Sequence, residues 1–164
     1  MGILIAAAGH RRLRVIGLAA AILAAGAVPA AALSAGTYRG RTSQHEQASA
    51  RVQAGTVRTL RIAWIAYCTR TQAVLGTAAH PLATVHTNIS LTRQGRWSAR
   101  GAYTASSGNG YTERFHVSDH GAVTARHGVR GVFTGKVRVY DTASGAYVDT
   151  CSSGRITFTA RRAG

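Results

Sequence analysis

The stretch that decides the fold runs from Arg126 to Tyr140 and reads RHGVRGVFTGKVRVY. Its residues alternate in character with a period of two, which places alternate side chains on opposite faces of an extended strand. The pattern therefore predicts one long β-strand, or two strands bent at the glycines. The face predicted to point inward carries His127, Val129, Gly131, Phe133, Gly135, Val137 and Val139. The face predicted to point outward carries Arg126, Arg130, Thr134, Lys136 and Arg138.

Shorter runs of the same kind fill the chain after residue 35, and glycine-containing turn signals separate them. Only residues 73–79 lack strand character, and we expect a short helix or a loop there. Residues 36–164 are therefore predicted to form a single all-β domain, an antiparallel meander of about 8–9 short strands arranged as a barrel or a two-sheet sandwich. The other predicted strands cover 38–44, 50–54, 57–68, 85–92, 97–103, 111–117, 146–151 and 155–160.

The first 35 residues have the layout of a secretory signal peptide. Three arginines, the last of them Arg14, precede an uncharged stretch over 15–28, and Pro29 leads into small residues at 30–32 that fit the A-x-A cleavage pattern. Residues 15–33 are also long enough to span a bilayer, so an uncleaved membrane anchor is the alternative. In either case we expect the domain outside the cell, secreted or associated with the cell envelope.

The chain has two cysteines, Cys68 and Cys151. In an exported protein such a pair is expected to form one disulfide. Closing so long a loop stabilises the fold by about 4–5 kcal/mol in the chain-entropy model. No set of further ligands at zinc-finger spacing accompanies the cysteines, so neither a metal nor another cofactor is predicted.

The chain is strongly basic. It has 20 basic residues against five acidic ones, and because three of the arginines lie in the predicted signal peptide, 17 basic residues remain in the domain. Such an excess attracts polyanions, and for an exported protein an anionic cell-wall polymer or an anionic membrane surface is the expected partner. The alternative is that the arginine content reflects a GC-rich genome and has no function.

Several of these cations fall on outward faces of predicted strands. If those strands are neighbours, the outer face of the sheet forms a patch that can bind phosphate or carboxylate groups. Nucleic acid is the less expected ligand, because Trp64, Trp97 and Phe133 fall on inward faces and leave no stacking platform. An ordinary solvated face is the alternative interpretation. The predicted anion-binding residues are Arg96, Arg100, Arg126, Arg130, Lys136 and Arg138.

Two sets of polar residues are candidates for a metal site or for acid–base chemistry. His116, Asp119 and His120, with His127 further on, are ligand types that suit zinc, but they converge only if the segment turns. Glu113 and His127 both point inward by alternation, and a buried pair of this kind suits general acid–base catalysis or ligand binding. A register shift at the glycines would instead expose one or both to solvent. The sequence has no motif for a catalytic nucleophile, and nothing in it brings two carboxylates together as in a glycosidase. No catalytic residue is therefore assigned.

The start of the predicted domain, TYRGRTSQ (37–44), and its end, DTCSSGRITFTARR (149–162), carry a resemblance, together with the segments GRW (95–97) and GVF (131–133). They resemble a family of small secreted β-rich proteins of high-GC Gram-positive bacteria for which no activity is known. The resemblance covers most of residues 36–164. It implies a disulfide-bearing β domain outside the cell.

Three functions follow from these features. The leading one is an exported, non-enzymatic domain that associates with the cell envelope or an anionic polymer through its arginine-rich face. A second is a barrel that binds a small apolar ligand in its interior. A third is an enzyme that depends on a metal or on Glu113 and His127.

Overall fold

The computed structural model describes residues 35–164. All but the last residue of the predicted signal peptide, and the alternative anchor over 15–33, lie outside the described residues. Within the described part of the chain no helix is long and apolar enough to cross a membrane. The strands are β1 (Gly36–Thr42), β2 (Gln47–Gln53), β3 (Thr56–Trp64), β4 (Ala66–Cys68), β5 (Val74–Leu75), β6 (Leu82–Ser90), β7 (Arg96–Ser106), β8 (Tyr111–Thr124), β9 (Gly128–Asp141) and β10 (Tyr147–Arg162).

The strands form one antiparallel sheet in the order β6-β3-β2-β1-β10-β9-β8-β7. Two meanders, β1-β2-β3-β6 and β7-β8-β9-β10, are joined where β1 pairs with β10 from Tyr38 opposite Arg162 to Thr42 opposite Phe158. The sheet is nearly closed as a barrel, with β6 and β7 as its two facing edges. The predicted antiparallel all-β meander is confirmed, in its barrel form rather than as a sandwich, and it has ten strands rather than eight or nine.

The alternation that predicted β9 is confirmed over most of its length. Its residues from Val129 to Val139 point alternately into the barrel and into solvent. His127 is the exception, because it lies exposed in the turn that precedes the strand. Gly128 ends that turn with a φ of 72°, and a Cβ atom there would lie 2.3 Å from the backbone oxygen of Ala160. The start of β9 therefore requires glycine, and the strand begins one residue after His127.

Trp64 fills the middle of the barrel. It lies at the end of β3, and its ring is fully buried and reaches β9 on the opposite wall, 5.3 Å from the ring centroid of Phe133. A Cβ atom at Gly135 would lie 2.6 Å from this indole. Its Nε1 donates a hydrogen bond to Thr84 Oγ1 on β6, at 3.1 Å. One side chain thus ties three strands of the barrel together.

A second pair of aromatic rings packs over paired glycines. Trp97, Gly121, Gly131 and Phe158 lie in register on the four consecutive strands β7, β8, β9 and β10. The two aromatic rings meet above the glycines with their centroids 6.4 Å apart. Because both glycines lack a Cβ atom, the rings can lie flat against the sheet.

The segment that follows β3 is held by the disulfide and by the amide side chain of Gln44. The predicted strand 57–68 is interrupted at Ile65, whose backbone N–H donates to Gln44 Oε1 at 2.8 Å and whose carbonyl accepts from Gln44 Nε2 at 3.0 Å. Beyond Ile65, β4 pairs with β10, and Cys68 lies opposite Cys151. The predicted disulfide between these cysteines is confirmed.

Two further segments differ in part from the prediction. Residues 73–79 form a loop, the second of the two predicted alternatives, except for the two-residue strand β5, which pairs with β4. The predicted strands 146–151 and 155–160 form the single strand β10, in which a register shift lies between Ser152 and Arg155. Gly154, with a φ of 65°, lies within this irregularity.

Candidate functional site

The charges of the domain are separated between its surface and its interior. All 17 arginine and lysine side chains of residues 35–164 are exposed, whereas none of the five acidic side chains is. Within this part of the chain no arginine or lysine lies within ion-pair distance of a carboxylate, and Asp119 has the His86 imidazole as its neighbour instead. The exterior is therefore cationic and unneutralised.

The acidic side chains are held by neighbours inside the fold or at turns. Asp149, 1% exposed, accepts hydrogen bonds from the backbone N–H groups of Arg70, Thr71 and Thr150 and from the Thr71 hydroxyl. Burial acts to raise the pKa of the Asp149 carboxyl, but these hydrogen bonds together outweigh it and hold the pKa well below its usual range. Asp141, half-buried at the end of β9, accepts hydrogen bonds from the backbone N–H and the hydroxyl of Ser144.

The half of the barrel formed by β7 to β10 carries ten of the 17 exposed cations. We call this set the arginine surface, and it includes all six predicted anion-binding residues. It comprises Arg96, Arg100, Arg114, Arg126, Arg130, Lys136, Arg138, Arg155, Arg161 and Arg162.

The predicted arrangement of this surface needs two corrections. The strand of Arg96 and Arg100 and the strand of Arg130 are not neighbours, because β8 lies between β7 and β9. Arg126 does not lie on a strand face but in the turn between β8 and β9. The intervening strand adds Arg114, which lies directly opposite Arg138 on β9.

One end of the arginine surface is concave. The turn between β8 and β9 and the end of β10 enclose a groove of about 540 Å³, which we call the arginine groove. Four guanidinium groups and one imidazole line it, and no carboxylate does. These residues are Arg126, His127, Arg130, Arg161 and Arg162.

The other end of the surface combines arginines with tyrosines. The Arg114 guanidinium lies over the Tyr140 ring, 4.4 Å from its centroid, and Arg70 lies 5.8 Å from the centroid of Tyr147. The two rings meet edge to face at 5.9 Å. Lys136 and Arg138 border the same concave patch. We call these six residues the arginine–tyrosine cluster.

Sequence reasoning missed part of both ends. Alternation with Phe115 would have placed Arg114 on the outer face, but the meeting of Tyr140 and Tyr147 depends on the hairpin register between β9 and β10. The inward-facing Trp64, Trp97 and Phe133 are buried as predicted. Exposed aromatic surface comes instead from tyrosines such as Tyr147, which is 46% exposed.

Neither predicted chemical site is assembled. His116 and His120 are exposed on the outer face of β8, whereas Asp119 lies inside the barrel. Glu113 is half-buried near the start of β8, and burial raises its pKa, but His127 follows the far end of that strand. The strand length separates Glu113 from His127 by roughly 40 Å, so they do not form the predicted pair. Within residues 35–164 no group of three metal-ligating side chains converges.

The interior instead holds a pair that sequence reasoning missed. His86 Nε2 on β6 lies 3.1 Å from Asp119 Oδ2 on β8, and Trp97 Nε1 donates to Asp119 Oδ1 at 2.7 Å. Burial raises the pKa of Asp119, although Trp97, His86 and His120 each oppose the shift. No short motif contains His86, so the sequence offers no local signal for this contact.

Comparison of the chain with models of protein families, with curated proteins and with solved structures found no match. The resemblance to a family of secreted β-rich proteins stays a prediction.

Proposed function

We propose that this protein is an exported, non-enzymatic β-barrel that binds an anionic polymer of the cell envelope through its arginine surface. The separation of charge carries the proposal, since every cation of residues 35–164 is exposed and none is paired with a carboxylate. Genome composition alone can account for an excess of arginine, but it does not account for the finding that none of the five acidic side chains is exposed. Arginine side chains bind phosphate and carboxylate groups through two parallel hydrogen bonds.

Cross-strand contacts between like charges support the same interpretation. Arg39 lies directly opposite Arg161, and Arg114 lies directly opposite Arg138. Such pairs destabilise a sheet when nothing neutralises them. A bound polyanion would remove this repulsion, so the arrangement favours a ligand that bears several negative charges.

The alternative of a small apolar ligand inside the barrel is less well supported. The side chain of Trp64 crosses the interior and contacts Phe115 and Phe133. A ligand in that position would have to displace a fully buried indole together with its hydrogen bond to Thr84.

Co-sedimentation of the disulfide-bonded protein with isolated Gram-positive cell walls, over a series of salt concentrations, tests the proposal. We expect binding at low salt that falls steeply as salt rises, because salt screens exposed charges. Absence of binding at low salt would contradict the proposal.

A charge-matched pair of variants shows whether the arginine surface is responsible. Reversal of Arg130 and Arg138 to Glu on β9 should weaken binding strongly. Reversal of Arg51 and Arg61 to Glu on β2 and β3 changes the net charge equally on the opposite side of the barrel. Equal losses in the two variants would show that net charge, and not this surface, governs binding.

A further inference from the structure

The two ends of the arginine surface lie along one strand. Arg130 lines the arginine groove near the start of β9, and Arg138 belongs to the arginine–tyrosine cluster near the end of that strand. Both side chains point outward on the same face of the sheet. They are eight positions apart along an extended strand, a span of about 27 Å.

Cations also flank the surface between these two ends. Arg100, Ser118, Thr134 and Arg155 lie in register on β7, β8, β9 and β10, so Arg100 and Arg155 stand on either side of the middle of β9. The hydroxyl side chains between them are exposed. The outer face thus offers a continuous path from the groove to the cluster with cations along both sides.

The tyrosines of the cluster hold an arginine in place. The contact with the Tyr140 ring restrains the Arg114 guanidinium, whose N–H groups remain able to bind an oxyanion. Arg114 also lies opposite Arg138, so two guanidinium groups face the same space. An oxyanion bound there would meet cations that are already positioned, which lowers the entropy lost on binding.

We propose that the arginine groove and the arginine–tyrosine cluster are two subsites of one track, and that the ligand is a linear polymer with repeating oxyanion groups that spans both. This inference rests on the proposed function and adds a length requirement. A chain shorter than about 27 Å reaches one subsite only, whereas a longer chain engages both. The second contact is then intramolecular, and affinity rises beyond the gain from charge alone.

Inorganic polyphosphates of defined length are the probe, because they vary in length while their chemistry stays constant. Binding to the full disulfide-bonded protein is measured by isothermal titration at fixed ionic strength. We expect tripolyphosphate to bind weakly and affinity to rise stepwise by about 10²-fold or more once the extended chain exceeds the span. A smooth rise in proportion to the number of phosphates would overturn the track.

Two variants of the cluster test its part in the step. Arg114→Gln and Tyr140→Leu should each reduce or remove the step while leaving tripolyphosphate binding at the groove unchanged. Arg61→Gln on β3 is the matched control and should retain the step. Since Arg114 is exposed, its variant stays informative even if loss of the half-buried Tyr140 ring impairs folding. A full step in Arg114→Gln would overturn the assignment of this subsite.

The outcome separates the two proposals. If no polyphosphate of any length binds at low salt, both the arginine surface and the track fail. If long chains bind in a salt-dependent way without a step in length, the proposed function stands and the track alone fails.

Discussion

His86 on β6 and Asp119 on β8 form a buried pair at the seam where the barrel does not close, with Nε2 and Oδ2 3.1 Å apart. Neither atom has a further hydrogen-bond partner within the described residues. His86 reaches Asp119 past Gly101 of β7, where a Cβ atom would lie 3.3 Å from the imidazole. The edges of β6 and β7, which have no ladder between them, are thus bridged by side chains.

The variant His86→Leu should therefore destabilise the barrel. It removes the partner of a buried carboxyl group, and breaking a buried pair of this kind costs about 3–5 kcal/mol. Burial raises the pKa of Asp119 in the folded protein, and loss of His86 raises it further. A carboxyl group whose pKa is raised by folding stabilises the fold at pH values below its unfolded-state pKa of about 4. This contribution is lost as the pH rises toward the folded-state pKa.

The free energy of unfolding in urea, measured between pH 4 and pH 8, checks this prediction. The difference from the wild-type protein should be small near pH 4 and grow toward neutrality. His116→Leu on the outer face of β8 is the control and should cost little at any pH. A penalty for His86→Leu that does not change with pH would contradict the role assigned to the pair.

Asp149 should give the opposite dependence on pH. Its folded-state pKa is lowered by hydrogen bonds from Thr71, Arg70 and Thr150, which outweigh the effect of burial. A carboxyl group whose pKa is lowered by folding stabilises the fold at pH values above its unfolded-state pKa of about 4. This contribution is lost as the pH falls toward the folded-state pKa. Asp149→Asn should therefore lower the free energy of unfolding by a constant amount from pH 8 to about pH 4 and by less at more acid pH. Acid titrations of both proteins by circular dichroism measure this, and parallel curves down to strongly acid pH would refute it.

The disulfide between Cys68 and Cys151 should contribute a large part of the stability. The two residues are 83 positions apart, so their link closes most of the described chain into a loop. Replacing both by Ser should lower the free energy of unfolding by about 4–5 kcal/mol in the chain-entropy model. Urea unfolding of this variant, compared with the disulfide-bonded wild-type protein, provides the test, and the reduced wild-type protein should resemble the variant. A loss below about 1 kcal/mol would show that the pairing of β4 with β10 positions these residues without the covalent link.

Gly135 and Trp64 should be strongly coupled. Gly135→Ala places a methyl group where the indole now lies, and overpacking of this kind costs about 1–3 kcal/mol. In a Trp64→Phe background the smaller ring leaves room, so the same substitution should cost less. A double-mutant cycle measures the coupling, which should be about 0.5–3 kcal/mol. Additive effects would mean that the indole relaxes away from β9.

The sequence predicted those features that depend on alternation along one strand. The inward and outward faces of β9 follow from neighbours in sequence, and the turns follow from glycine. The order of the strands cannot be predicted in this way. The C-terminal strand β10 pairs with β1 as well as with β9, and no local pattern indicates the pairing with β1. For the same reason alternation assigned Arg100 and Arg130 to the outer face but did not show that β8 lies between their strands.

The buried pair shows a second limit of local patterns. His86 and Asp119 lie on strands that β7 separates, and their contact exists only because the barrel brings the two edges of the sheet together. Asp119 lies beyond the predicted strand 111–117, whereas β8 continues through it to Thr124. The polar residues of this segment therefore hid the second half of the strand.

Arg39 and Arg161 lie directly opposite each other on β1 and β10, where like charges repel. If these cations are retained for binding, removal of one should stabilise the protein and weaken its function. Arg39→Glu places a carboxylate opposite Arg161 and should raise the free energy of unfolding by about 0.2–1 kcal/mol, while binding to cell walls at low salt decreases.

Arg51→Glu is the matched control, because Arg51 lies between Thr37 and Thr59 and has no cation opposite it. This variant changes the net charge equally but should leave stability almost unchanged. Chemical denaturation at low and high salt measures both variants, and the gain for Arg39→Glu should shrink as salt screens the pair. Equal stability changes in the two variants would show that general charge reduction, and not this cross-strand contact, is responsible.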